Sequence, residues 1–123
     1  MNRTVNSPEL PKPSGFSHAV VAANTVYLAG QAGEGETMVE QFDSAAGNLV
    51  AALRACGGDA SDLVSLQVFV VDVAAYRDAL SEIGEAWRKQ FGKHYPAMGL
   101  FGVTELFSPE LKVELMGVAV IQA

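Results

Sequence analysis

"VSLQVFVV", residues 64–71, decides the fold. It is a run of β-branched and aromatic residues, the composition of a strand. In a half-exposed strand, apolar and polar residues alternate, because successive side chains point to opposite faces. Here Val64, Leu66, Val68 and Val70 alternate with Phe69 and Val71, so both faces are apolar. "KVELMGVAVI" (112–121) repeats the pattern: Val113, Leu115 and Ile121 alternate with Met116, Val118 and Val120. A sheet built on these strands needs cover on both sides.

Working outward, Asp72 is placed to cap a helix. Tyr76, Leu80, Ile83, Trp87 and Phe91 form its apolar stripe, and Gly92 stops it. Upstream, Thr37 followed three residues later by Glu40 is a capping-box pattern. Met38, Phe42, Ala45, Leu49 and Leu53 then recur at helical spacing up to Gly57-Gly58. "SHAVVAANTVYLAGQ" reads as strands 17–22 and 25–30 about a turn at Ala23-Asn24, followed by a loop through Gly33 and Gly35. "AMGLFGV" (97–103) is a further β segment, reached through the Tyr95-Pro96 turn. Residues 1–15 form an extended N-terminal arm containing Pro8, Pro11 and Pro13, and the span 1–123 reads as a single domain. The order ββαβαββ indicates an α+β fold. Two helices cover only one face of such a sheet. The simplest cover for the other is a second copy of the chain, so a homo-oligomer with sheet-face contacts is expected.

The net charge is −6, and the Lys and Arg residues are scattered without a basic run, which disfavours nucleic acid as a partner. A single cysteine, Cys56, allows no intrachain disulfide and suits a reducing cytoplasm. The polar, Pro-rich N-terminus has no apolar signal core, and no run is long enough for a membrane span. A cytoplasmic location without membrane association is expected.

Chemistry-bearing residues are few. His18 and His94 have no partner at metal-ligand spacing and read as surface or strand-end residues. Cys56 reads as a small buried hydrophobe. "AGQAGEGE" (29–36) has neither the dinucleotide-binding glycine order nor a P-loop lysine. Neither a metal nor a cofactor is expected. Glu114 and Met116 share one face of the last strand, the face assigned to the oligomer. A carboxylate there needs a partner or water.

Four segments together resemble the RidA (YjgF/YER057c/UK114) family of reactive-intermediate deaminases. "GFSHAVVA" is similar to the family's "PYSQAV" and "VYLAGQ" to its "V-x-x-SGQ". "WRKQFGKHYPAM" is similar to the stretch ending in "PAR", and "KVELMGVAV" to "VEIEAIA". The resemblance implies a chorismate-mutase-like fold, with one mixed β-sheet and two helices packed on one face. It also implies a homotrimer with ligand clefts between subunits and hydrolysis of 2-imino or 2-enamino acids to 2-keto acids and ammonia. In active members the arginine of "PAR" clamps the substrate carboxylate, and a glutamate on the last strand helps position water. By the same resemblance the cleft here comprises Phe16, Ala29, Gly30, Gln31, Met98, Leu100, Glu114 and Met116. Met98 stands at the arginine, Met116 at the second glutamate, Phe16 at the tyrosine and Ala29 at the serine.

An arginine recognises a carboxylate through a bidentate, charge-assisted fork, which a thioether cannot replace. Loss of the arginine together with a glutamate removes opposite charges as a pair, and methionine adapts to irregular apolar partners. The expectation is therefore a RidA-like homotrimer that binds a small, largely uncharged or aromatic molecule without the family's 2-imino-acid deaminase activity. The alternative is an imine or enamine deaminase with a non-standard substrate. Its candidate catalytic residues are Glu114 and Glu105, the latter in a loop one residue longer than in typical members. A further alternative is a structural or protein-interaction trimer. The family also carries an endoribonuclease label, but an acidic chain without a His or Lys pair suits that reading least.

Overall fold

The computed structural model describes residues 1–122; Ala123, the end of the span read as one domain, lies outside them. One mixed sheet contains six strands in the order β1-β2-β3-β6-β4-β5. These are β1 (Arg3–Val5), β2 (Ala19–Ala22), β3 (Thr25–Gln31), β4 (Leu63–Val70), β5 (Ala97–Gly102) and β6 (Val113–Val120). Every neighbouring pair is antiparallel except β4 and β5, which run parallel. Within the N-terminal arm, residues Arg3–Val5 add an edge strand against β2, and a turn follows at residues 8–10.

The helices are α1 (Met38–Ala55), α2 (Val73–Asp78) and α3 (Leu80–Phe91). The capping box starts α1: Thr37 Oγ1 accepts from the Glu40 N–H at 3.1 Å, and the Glu40 carboxylate accepts from the Thr37 N–H at 3.0 Å. These bonds favour the ionised form and hold the Glu40 carboxyl below its ordinary range. At the other end, Cys56 caps the helix and Gly57 takes φ +89°, a conformation that glycine adopts without a Cβ clash. Cys56 is buried, and burial pushes its thiol pKa up, as befits a small core hydrophobe.

Asp72 caps α2 by accepting from the Ala75 N–H at 3.0 Å. The single helix expected from there to Gly92 is broken at Ala79, which ends α2 and begins α3. The break shifts the helical phase. Tyr76, Ile83, Trp87 and Phe91 remain buried, while Leu80, expected in the stripe, is 55% exposed.

The helices bury one face of the sheet. Leu66, Val68 and Val70 of β4 and Val113, Leu115 and Ala119 of β6 join Phe42, Leu49 and Leu53 of α1 in the core. The other face is open and carries Tyr27, Phe101 and Met116, with Phe69 stacked on Phe101 at 5.8 Å. A register shift between Leu63 and Ser65 leaves Val64 exposed, so Val64 does not share the buried face of Leu66.

Candidate functional site

The site grows from an irregularity in β3. Leu28 lies opposite Gly117, but Gln31 lies opposite Leu115, so β3 carries one residue more than β6 over this stretch. Such a bulge bends the strand and re-aims its neighbours. At its centre Gly30 lies against Glu114 of β6, where a Cβ would run into the Glu114 carboxylate. The missing side chain leaves room for that carboxylate in a cleft of about 1030 Å³.

Three further walls close the cleft. One is the arm from Glu9 to Ser14 together with Phe16; the second is Ser44 and Asn48 of α1; the third is Phe107 and Leu111 in the loop before β6. His18 ties down the arm. Its Nδ1 accepts from the Ser7 N–H at 2.9 Å, so the ring proton sits on Nε2, which donates to the Pro11 carbonyl at 3.0 Å. His18 stands at a strand end, as expected, but it is 3% exposed and not a surface residue. Folding the arm back over β2 buries it.

A polar stripe on α1 holds the other walls. Asn48 donates to the Ala32 carbonyl at 3.0 Å, and the Ser44 hydroxyl accepts from the Glu34 N–H at 3.0 Å. The Gln41 amide donates to the carbonyls of Gly35 (3.1 Å) and Glu110 (3.0 Å), while its oxygen accepts from the Lys112 N–H at 2.7 Å. Gln41, Ser44 and Asn48 recur at helical spacing beside the apolar stripe. That spacing is the signal by which these residues, not singled out in the sequence reading, were discoverable. Lys12, Phe107 and Leu111 carry no comparable signal.

Of the expected cleft residues, the chain brings Phe16, Ala29, Gly30, Gln31 and Glu114 together. Met98, Leu100 and Met116 do not line this cleft. Met98 and Leu100 lie on edge strand β5 in register with Leu66 and Val68, separated from β3 by β4 and β6. Met116 is on the open face, and Glu105 is exposed in the loop after β5. The turn into β5 is firmly seated. Trp87 Nε1 donates to the His94 carbonyl at 3.1 Å, the His94 ring is 2.6 Å from the Leu63 carbonyl, and Tyr95 stacks on Trp87. Among the described residues no group of three His, Cys, Asp or Glu side chains gathers at metal-binding distances.

The Glu114 side chain is half-buried and makes no hydrogen bond among the described residues. Burial alone pushes its carboxyl above the ordinary glutamate range. A carboxyl whose folded pKa is raised binds its proton more tightly folded than unfolded. Its ionisation therefore opposes folding once the pH passes the unfolded value. Glu114→Gln is expected to raise the melting temperature at pH 7 and to leave it unchanged below pH ~4, as checked by thermal melts at both pH values.

The comparisons with known proteins bear on this geometry. Residues 8–121 match the family model described as Endoribonuclease L-PSP. The chain is 32% identical to 2-iminobutanoate/2-iminopropanoate deaminase of Dermatophagoides farinae, with 98% of this chain and 97% of that one covered. The chain belongs to the RidA/YjgF/YER057c/UK114 family. Among other RidA-family relatives, RutC family protein UK114 of Drosophila melanogaster is 28% identical over 86% of this chain and 80% of its own length. A YjgF/YER057c/UK114 family structure from Mycobacterium tuberculosis superposes with a TM-score of 0.83 at 29% identity, covering 98% of this chain and all of that one. RidA from an Antarctic Psychrobacter gives 0.85 at 25% identity, covering 97% and 99%. The α+β architecture described above is thus the YjgF-like fold. Among the described residues no helix is long and apolar enough to cross a membrane.

Proposed function

We propose that this RidA-family chain forms a homotrimer and binds a small, largely uncharged or aromatic molecule in a cleft between subunits. In this reading it lacks the 2-imino-acid deaminase activity for which its mite relative is named. The observation that carries the reading is the position of Met98. In one chain the cleft has a floor and three walls but no contribution from β5. Met98, 46% exposed on that free edge, reaches a cleft only if another copy supplies it, whereas Leu100 on the same strand packs against the chain's own core. The open apolar face of the sheet is the surface on which copies would pack. The edge then brings a thioether where the resemblance implies an arginine. A carboxylate seated there would be desolvated without a counter-charge, which costs several kcal/mol.

The test is hydrolysis of 2-iminopropanoate generated in situ by an amino-acid oxidase. The expected rate of 2-keto acid formation equals the protein-free rate. Protein-dependent acceleration overturns the reading. Light scattering checks the assembly: a mass near three times the 13.0 kDa chain is expected, and a monomer contradicts it.

One observation favours a second reading. Glu114 faces the cleft, and burial shifts its carboxyl pKa upward, the direction that favours a general-acid role. An imine or enamine hydrolase acting on a substrate without a carboxylate would use it so. Glu105 would join only from the exposed loop after β5.

A further inference from the structure

Resting on the reading of the cleft as a small-molecule site, we infer that its ligand is flat and presents a nitrogen donor, an amidinium- or ammonium-type group, to Glu114. The cleft discriminates against carboxylates.

Charge is the first argument. Three carboxylates, Glu9, Glu34 and Glu114, line the cleft against one cation, Lys12, which lies on the exposed arm. His18 adds no cation for a ligand, because both ring nitrogens are committed to Ser7 and Pro11. An anion entering the cleft meets a net negative wall on a chain of net charge −6.

Hydrogen bonding is the second. Asn48 already donates its Nδ2 to the Ala32 carbonyl, and the Ser44 hydroxyl already accepts from the Glu34 N–H. The Glu114 carboxyl, in contrast, is half-buried with no hydrogen bond among the described residues. An ionised carboxylate only accepts, so its complement is a donor. A cationic donor compensates the desolvation of the carboxylate and forms the stronger, charge-assisted bond.

Shape is the third. Phe16 and Phe107 line the same cleft at 57% and 98% exposure. Aromatic faces presented to solvent around a carboxylate suit a planar ligand and, by cation–π attraction, a positively charged one.

Benzamidine, benzamide and benzoate share one ring and nearly one outline and differ in charge. Titration of each into the full chain by calorimetry, at low salt and at ~150 mM, reads the preference. Benzamidine is expected to bind at least tenfold tighter than benzoate at both salts, with benzamide between. Glu114→Gln should erase most of that ratio, whereas Glu82→Gln, which removes the same charge from α3, should keep it. Benzoate binding as tightly as benzamidine overturns the inference and leaves small-molecule binding standing. Binding by none of the three overturns both. A cation preference that survives Glu114→Gln overturns the assignment to that carboxylate.

Discussion

Replacing Gln41 with leucine is expected to destabilise the protein by about 3 kcal/mol, since each buried polar group left without its partner costs roughly 1–3 kcal/mol. Gln41 is 2% exposed, and its amide serves three backbone groups at once: the carbonyls of Gly35 and Glu110 and the N–H of Lys112. Leucine fills a similar volume, so no cavity offsets or exaggerates the loss. For a chain of this size the melting temperature should fall by roughly 10 °C. The effect has a location as well as a size. Gln41 joins α1 to the loop before β6, which carries Phe107 and Leu111 into the cleft wall. Amide exchange in residues 105–112 should accelerate more than in β4 or β6. Gln41→Glu keeps the acceptor for Lys112 but turns a carboxylate toward two carbonyls, so it should be no milder. A loss below ~1 kcal/mol in urea melts for both variants would mean that the three backbone groups find water instead.

The second large effect separates two glycines three residues apart. At Gly33 a Cβ would meet the Ala45 nitrogen, the Gln41 carbonyl oxygen and the Ser44 Cβ, all belonging to α1. Helix backbone cannot yield without moving the loop that carries the cleft wall, so Gly33→Ala is expected to cost ~2–3 kcal/mol, the range for overpacking a rigid site. At Gly30 the obstructing atoms are the end of the Glu114 side chain. That group can swing away, so Gly30→Ala should cost under ~1 kcal/mol. It displaces the carboxylate, however, and should weaken any ligand held by Glu114. Chemical denaturation of both variants and fragment titration of Gly30→Ala check the pair. Equal stability losses at the two positions would contradict the contacts assigned here.

Much of the fold was legible because its signals are local. The Thr37–Glu40 capping box, the Asp72 cap and the Gly57 stop each involve residues within a few positions of one another, and the structure forms all of them. The helix break at Ala79 was not legible. No glycine or proline marks it, and the apolar spacing runs through it. The bulges in β3 and β4 were hidden for a related reason: a bulge is a relation between two strands, and neither strand alone carries it. The site divides the same way. Gly30, Gln31 and Glu114 were named through motif resemblance, and the fold brings them together. His18 was placed at a strand end, but its burial was not legible, because its partners, Ser7 and Pro11, are reached only when the arm folds back.

Residue order alone determined the two-faced apolar strands, the helix termini and an acidic surface without basic runs, because periodicity, capping and net charge are properties of neighbouring residues or of totals. Only the tertiary structure decided that Glu114 faces a cleft beside a bulged glycine. It also decided that β5 runs parallel to β4 at the sheet edge, with Met98 two strands away from that cleft. Sheet order and register are set by which distant segments bury one another best, and that competition leaves no mark within any single stretch of sequence.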